Sequence, residues 1–258
     1  MAQPFLVLPP GELCWGQDSF ALARHGQFEV FDFRGHQLWS ESYQGRTHFY
    51  PATPYVAALN QGLWVVARQW DYNPGDAMFA CSYYNQISLR DKRGERVWSP
   101  ELPQEDSDWL FAQGQRLIVI EGEWEAPYQR IRRVHCWDTE SRQKLWLRTT
   151  EHQPLRMLWL ENGGRLVVAW EKSLEVWDGG NGHRLQAAPL PGYPIQLSLE
   201  QDRILVKSTK KSHSFAPEDL TDRRDLTSDQ ERLKRERSPD GSIEAIFDEH
   251  WRFYERFV

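Results

Sequence analysis

The stretch Leu174-Glu-Val-Trp-Asp178, followed by a glycine at 182, decides the fold because three further segments of the chain repeat it. Each copy alternates apolar and polar residues as a short strand does, then has an aspartate, a turn and a second short strand. A tryptophan follows the aspartate after seven or eight residues in three copies, and Gln186 takes its place in the fourth. The other copies run from 28 to Asp32 with Trp39, from 87 to Asp91 with Trp98, and from 134 to Asp138 with Trp146.

Hairpin signals precede these copies at regular intervals. Glycine, asparagine and aspartate supply the positive φ angles that tight hairpin turns need. Six such signals in 258 residues give one unit per roughly 43 residues, the period of a propeller blade with four short strands. The signals are Gly16-Gln-Asp18, Asn60-Gln-Gly62, Gln113-Gly114, Asn162-Gly-Gly164, Gln201-Asp202 and Asp240-Gly241.

The repeat predicts an all-β chain that forms a single β-propeller domain over residues 1–258, with about six four-stranded blades and five or seven as alternatives. In the clearest unit, strands are expected at 157–160, 165–170, 174–177 and 183–186. A β-sandwich explains strands and turns but not the recurring interval from aspartate to tryptophan. The run at 5–8 is expected to pair beside 251–255 and complete the last blade, which removes two open sheet edges.

The pattern of strand, aspartate, turn glycine, strand and tryptophan resembles both the WD repeats and the tryptophan-docking repeats of quinoprotein-like β-propellers. Ser238-Pro-Asp-Gly241 is similar to the turn between the first two strands of such blades. The adjacent cysteines of many quinone-cofactor enzymes are missing. The resemblance therefore implies a propeller without a cofactor, and it does not define a function.

The repeated residues are interpreted as structural. An aspartate that recurs once per blade is expected to accept backbone N–H bonds in its own turn. The docking tryptophans Trp39, Trp98 and Trp146 are expected to pack between blades. His36 and His183 share one repeat position, which also favours a structural role over catalysis.

Composition excludes several classes of protein. The net charge of −6 and the isoelectric point near 5.8 argue against direct binding of nucleic acid, which requires a basic surface. Three widely spaced cysteines build neither a disulfide framework nor a zinc knuckle. No signal peptide and no apolar run of membrane-spanning length is found, so a cytoplasmic location is expected.

Catalytic and metal-binding motifs are not found in the sequence. The nucleophile elbow, the phosphate-binding loop, the dinucleotide fingerprint and zinc-binding histidine pairs are all missing. Glu121, Glu123 and Glu125 share one face of an extended strand and could bind a metal, but a solvated or partner-facing strand has the same pattern. We therefore predict no enzyme activity, no catalytic residues and no metal site.

A charged segment at about 208–237 interrupts the pattern and is expected to be an irregular excursion. Residues 203–237 contain 10 Lys and Arg against 7 Asp and Glu. Ser228 and Glu231 have the spacing of a helix capping box, whereas the turn at 238–241 favours a charged strand at about 233–237. Solvated surface is the simplest interpretation of this segment, and docking of an acidic partner is the alternative.

Three connections are longer than their counterparts, and they are rich in aromatic and acidic residues. Two are the links between the second and third strands of adjacent units, and the third enters the second unit at 40–54. Aromatic side chains on loops over a rigid scaffold are typical of recognition surfaces. The predicted partner-binding residues are Tyr50, Trp70, Asp71, Tyr72, Tyr83, Tyr84, Glu121, Glu123, Trp124, Glu125 and Tyr128.

The leading hypothesis is therefore a protein-interaction scaffold or adaptor that binds a basic or amphipathic protein through this aromatic and acidic sector. One alternative is a propeller enzyme or small-ligand receptor with a polar site at the channel mouth. Another is an inhibitor or immunity-type protein that blocks its partner. The sequence does not predict an oligomeric state.

Overall fold

In the computed structural model of the chain, the described residues are 12–44, 49–72, 81–102, 107–126, 129–152, 154–160, 164–208, 211–226, 234–237, 243–247 and 253–257. They are built almost entirely from strands and tight turns. No helix within these ranges has the length and apolar composition that crossing a bilayer requires.

Six sheets follow one another in chain order within the described ranges, and the pairings with a described register are antiparallel. The first contains β1 (Glu12–Trp15), β2 (Ser19–Arg24), β3 (Gln27–Asp32) and β4 (Gln37–Ser42). The second contains β5 (Phe49–Pro51), β6 (Tyr55–Ala58), β7 (Trp64–Tyr72), β8 (Cys81–Arg90) and β9 (Arg96–Trp98). The third contains β10 (Trp109–Gln113), β11 (Arg116–Ala126), β12 (Gln129–Asp138) and β13 (Gln143–Thr150).

The remaining sheets have the same meander. The fourth contains β14 (Arg156–Leu160), β15 (Arg165–Ala169), β16 (Ser173–Asp178) and β17 (Arg184–Pro189). The fifth contains β18 (Pro194–Glu200), β19 (Arg203–Ser208), β20 (Ser212–Phe215) and β21 (Arg223–Leu226). The sixth contains β22 (Lys234–Arg237), β23 (Ile243–Phe247) and β24 (Phe253–Phe257). The four strands expected at 157–186 are thus present within a few residues of their predicted positions.

The chain divides into two compact units, and each is described by itself. The first comprises Met1–Leu117, Thr139–Arg142 and Glu231–Val258, and the second comprises Ile118–Asp138 and Gln143–Gln230. In the first unit, Phe28, Val30 and Trp64 are among the buried residues of one core cluster. In the second, residues of β15 and β16 pack against Ile204, Val206 and Phe215 of the fifth sheet.

The repeated aspartates hold the turn between the third and fourth strands of their sheets. Asp32 and Asp91 each accept the backbone N–H groups two and four residues ahead, and Asp178 accepts those two and three residues ahead. The N–H of His36 lowers the pKa of Asp32 below its usual value. Asp138 stands at the same point, as the last residue of β12. This is the local bonding that the repeat pattern predicted.

Two of the docking tryptophans, Trp39 and Trp146, lie against the turn glycine of the following sheet. A Cβ atom on Gly94 would lie 2.7 Å from the indole of Trp39, and one on Gly182 would lie 2.8 Å from that of Trp146. Both glycines have positive φ angles, of 82° and 72°. The turn conformation and the approach of the ring therefore both require glycine at these positions. Trp98, the last residue of β9, is half-buried.

Gln186 occupies the position of the docking tryptophan in the fourth sheet, and its side chain forms hydrogen bonds with the fifth sheet. Its side-chain amide donates to the carbonyl of Glu218 at 2.7 Å and accepts the N–H of Leu220 at 3.1 Å. These groups belong to the turn that joins β20 to β21. Arg165 donates to the carbonyl of Pro217 in the same turn at 2.9 Å.

The charged segment is more regular than the sequence predicted. Residues 212–226 contain β20 and β21, which complete the fifth sheet. His213, Ser214 and Phe215 of β20 are buried. Arg203 is also used structurally, since it donates to the Asp222 carboxylate at 2.8 Å. The charged strand expected near 233–237 is present as β22, whereas the capping-box residues and the run at 5–8 lie outside the described residues.

Candidate functional site

The two longest interior connections of the repeat are strand extensions. β7 and β8 continue as one hairpin up to the pairing of Tyr72 with Cys81, and β11 and β12 have 11 and 10 residues. We expected loops here. Continued pairing satisfies the backbone N–H and C=O groups of the paired residues.

Two of the predicted partner-binding residues are interior. Trp70 is 7% exposed, donates its indole N–H to Asn85 at 3.0 Å and packs edge-on against Tyr43. Glu121 is 1% exposed, and its carboxylate lies 2.7 Å from Nε2 of His135. The expectation that these residues lie outside the core is therefore wrong, because in a paired strand every second side chain turns inward.

The other predicted partner-binding residues are placed as follows. Asp71, Tyr83 and Tyr84 are half-buried on the β7–β8 hairpin, and Tyr84 packs edge-on against Tyr55. Burial raises the pKa of Tyr84. For five more, the structure describes the backbone alone; they are Tyr50 in β5, Tyr72 in β7, and Glu123, Trp124 and Glu125 in β11. Tyr128 lies outside the described residues.

The second unit contains a cavity of about 780 Å³ that the sequence did not indicate. Its walls come from three short connections: the end of β13 with the link to β14, the turn between β15 and β16, and the link from β17 to β18. The volume is in the range of ordinary ligand pockets, which occupy roughly 300–1,000 Å³. Aromatic residues that line it are Trp170, Trp177 and Tyr193.

Two of the three rings that line this cavity are buried, and the third is exposed. Trp170 and Trp177 are 8% and 5% exposed, with ring centroids 6.0 Å apart and ring planes tilted by 42°. Tyr193 is 47% exposed. A buried aromatic pair beside an exposed ring provides a rigid apolar surface with an adaptable edge, as protein-binding sites commonly do.

Charges of both signs line the same cavity. Arg132 and Lys172 line it together with Glu151, Glu171 and Glu175. The Glu175 carboxylate is already bound on both oxygens, because Arg184 donates to one at 3.1 Å and the Trp177 indole donates to the other at 2.8 Å. The other charged residues of the lining are Arg132, Lys172, Glu151 and Glu171, so the lining is close to neutral.

The described residues do not assemble a metal-binding group. No set of three or more His, Cys, Asp and Glu side chains within the described ranges is placed to hold a metal ion. A second cavity of about 520 Å³, in the first unit, is lined by Asp18, Gln61, Asp91 and Lys92. The Asp91 carboxylate there is used by its own turn.

Sequence reasoning missed the 780 Å³ cavity because it compared connection lengths, and the connections around this cavity are short. The available signal was chemical. Trp170 stands directly before a charged turn, Glu171-Lys172, and Tyr193 stands in the connection that leaves the same sheet. The turn between the second and third strands and the link that leaves the fourth strand emerge at the same end of a blade. Trp170 and Tyr193 could therefore have been assigned to one surface from the sequence.

No family model matches the chain, and no curated protein matches it by sequence. Solved structures do match. A chain in the crystal structure of a mitotic checkpoint complex is 13% identical, with a TM-score of 0.52 over 100% of this chain and 92% of that one. BamB from Moraxella catarrhalis is 14% identical, with a TM-score of 0.52 over 97% of this chain and 77% of that one. These neighbours confirm the predicted β-propeller fold, and at such identities they show the fold alone.

Proposed function

Because this chain has the fold of a β-propeller, we propose that it is a non-enzymatic protein-interaction module. Its contact surface is the end of the second unit that carries the Trp170–Trp177 cavity and Tyr193. Similarity to a chain of a checkpoint complex supports protein partners in general. The observation that carries the proposal is the buried indole pair beside a half-exposed phenol in the lining of one cavity.

A recognition surface fits this arrangement better than an active site. Catalysis requires a nucleophile, a base or a metal held within reach of one substrate position. Among the described residues that line the cavity, Glu175 is engaged by Trp177 and Arg184, and rings provide much of the remaining surface. Aromatic anchors surrounded by charged residues are instead the usual composition of a protein-binding hot spot.

The β7–β8 and β11–β12 hairpins remain a second candidate contact region. Asp71, Tyr83 and Tyr84 are half-buried there, so part of each side chain is open to a partner. An acidic, aromatic hairpin would suit a basic or amphipathic protein, with carboxylates steering the encounter and rings supplying affinity. We further propose a cytoplasmic location and a six-bladed ring closed by the run at 5–8.

Photo-crosslinking in source cells tests the proposed surface. A benzoylphenylalanine placed at position 193 is expected to capture one or a few proteins reproducibly, because the Tyr193 ring is half-exposed at the cavity. The matched control position is Lys92, an exposed residue of the turn between β8 and β9. Capture of the same proteins from both positions, or of none from position 193, would refute the proposed surface.

A further inference from the structure

The last strand of the third sheet is long, and one of its edges has no partner strand. β13 pairs with β12 along one edge, and no other strand in the described part of the chain pairs with the second edge. β13 has eight residues, whereas the last strands of the first, second, fourth and fifth sheets have six, three, six and four. An unpaired edge presents a row of backbone N–H and C=O groups to which another extended chain can bond.

This edge lacks two features that commonly block pairing with another chain, namely proline and a short strand. Both occur elsewhere in the protein, since β17 ends at Pro189 and β9 has three residues. β13 instead carries Leu147, which is 49% exposed. Lys144 and Thr149 are exposed as well. An added strand would therefore find an apolar side chain to pack against, and such contacts between neighbouring strands stabilise a sheet.

The exposed leucine and the exposed lysine lie on the same face of the third sheet. Leu147 pairs with His135, and the His135 ring stacks on the Trp137 ring with centroids 5.3 Å apart. The Lys144 amine lies over that same Trp137 ring, 5.2 Å from its centroid. A strand added beside β13 would thus meet an apolar group and a cation together.

The charge of β13 determines which kind of strand fits. Residues 143–150 contain Lys144 and Arg148 and no Asp or Glu, although the whole chain has a net charge of −6. Opposite charges on neighbouring strands are stabilising, and like charges placed opposite each other are destabilising. A second copy of β13 would bring cations close to cations, whereas an acidic strand would bring carboxylates close to them. The complementary occupant is an extended acidic segment with apolar residues at alternate positions.

We propose that β13 binds such an acidic segment of a partner protein as a fifth strand of the third sheet. Backbone hydrogen bonds supply affinity, an apolar side chain of the segment packs on Leu147, and a carboxylate pairs with Lys144. The inference rests on the proposed function, since it names the kind of segment by which the protein partner is held. The two surfaces are continuous, because Thr150 at the end of β13 also lines the 780 Å³ cavity.

Hydrogen exchange of the full chain tests the inference with a defined probe, an eight-residue peptide of alternating glutamate and valine with blocked ends. Along an antiparallel strand, every second N–H points away from the existing partner. The peptide is expected to slow exchange at these alternate amides of residues 143–150, because they gain carbonyl acceptors. Contact through side chains alone would leave their exchange unchanged. The matched control peptide alternates lysine and valine and should bind about fivefold more weakly or less.

Leu147→Glu supplies the matching test on the protein. The change removes the apolar contact and adds a like charge, so it should weaken binding of the glutamate–valine peptide about fivefold. Leu38→Glu is the control, at a side chain of β4 that is 44% exposed. It should leave the affinity unchanged, because β4 contains a glutamate and no Lys or Arg. Lys144→Gln should weaken binding and reduce its salt dependence, which keeps the test valid if Leu147→Glu does not fold.

Three results would overturn the inference. They are unchanged exchange across residues 143–150 at saturating peptide, equal affinity in Leu147→Glu and Leu38→Glu, or a preference for the lysine–valine peptide. Any of these, with a partner still captured from position 193, would refute strand addition and leave the proposed function standing. Protection of β13 by the peptide without any capture from position 193 would refute the proposed contact surface alone.

Discussion

A single hydrogen atom at Gly94 determines whether the Trp39 indole fits against its turn. Gly94→Ala is expected to lower the free energy of unfolding by about 2–4 kcal/mol, because it adds steric overlap with the indole to the strain of a positive φ angle. Gly114→Ala is the matched control, since its φ is 64° and nothing lies within 4 Å of its added Cβ; it should cost only about 1–2 kcal/mol. Urea denaturation measures the free energy of unfolding of both variants. Equal losses would show that contact with the Trp39 indole contributes nothing to the cost at Gly94.

His135 should make the stability of the second unit depend on pH. Burial, with Lys144 and Arg133 nearby, lowers its pKa from 6.5 to about 4. The Glu121 carboxylate, 2.7 Å from Nε2, favours the protonated imidazole and opposes this shift. At pH values between the two pKa values, His135 is protonated in the unfolded chain and neutral in the folded chain. The free energy of unfolding therefore falls as the pH falls. The loss is at most about 3 kcal/mol. Urea denaturation at pH 7.5 and pH 5 should show a smaller difference for His135→Gln, and an identical difference would exclude this histidine as the cause.

At the scale of elements, the link between the fourth and fifth sheets depends on Gln186. Gln186→Ala should lower the free energy of unfolding by about 1–2 kcal/mol, because the Leu220 N–H loses its acceptor. Hydrogen exchange at Leu220 should accelerate as well. Leu185→Ala, at a neighbouring side chain that is 51% exposed, is the control and should change neither measurement. Unchanged exchange in Gln186→Ala would refute this docking role.

The sequence predicted the elements of the repeat better than the elements that depart from it. Alternation, turn residues and the interval from aspartate to tryptophan placed the strands around Asp32, Asp91 and Asp178 correctly. A comparison of lengths predicts a loop in place of the β7–β8 extension, because the interval from Leu63 to Asp91 is longer than its counterpart from Leu166 to Asp178. Whether an inserted polar segment pairs with itself depends on contacts with neighbouring strands, which local propensity does not contain.

At the scale of the whole molecule, the fold could be predicted from the sequence repeat, whereas the position of the site could not. A period near 43 residues is visible along the chain, whereas the 780 Å³ cavity joins residues about 60 positions apart, from Arg132 to Tyr193. Composition could indicate many tryptophans but not that Trp170 and Trp177 would line one cavity.

Ring closure by the run at 5–8 is a prediction about the whole molecule. Deleting residues 1–8 should lower the melting temperature by several degrees, because an unpaired edge in the last blade exposes backbone groups and apolar surface. Calorimetry of the shortened and full chains measures the change, and Leu38→Ala, at an exposed position of β4, is a control for a general surface change. An unchanged melting temperature in the shortened chain would contradict closure.

The affinity of the captured partner tests the central claim most directly, namely that a propeller end carrying Trp170, Trp177 and Tyr193 binds protein. The measurement compares wild type, Tyr193→Ala and the control Lys92→Glu by interferometry. The account predicts binding at least tenfold weaker for Tyr193→Ala, on the precedent of aromatic hot spots, with unchanged melting temperature and unchanged affinity for Lys92→Glu. Equal affinity for wild type and Tyr193→Ala would contradict it.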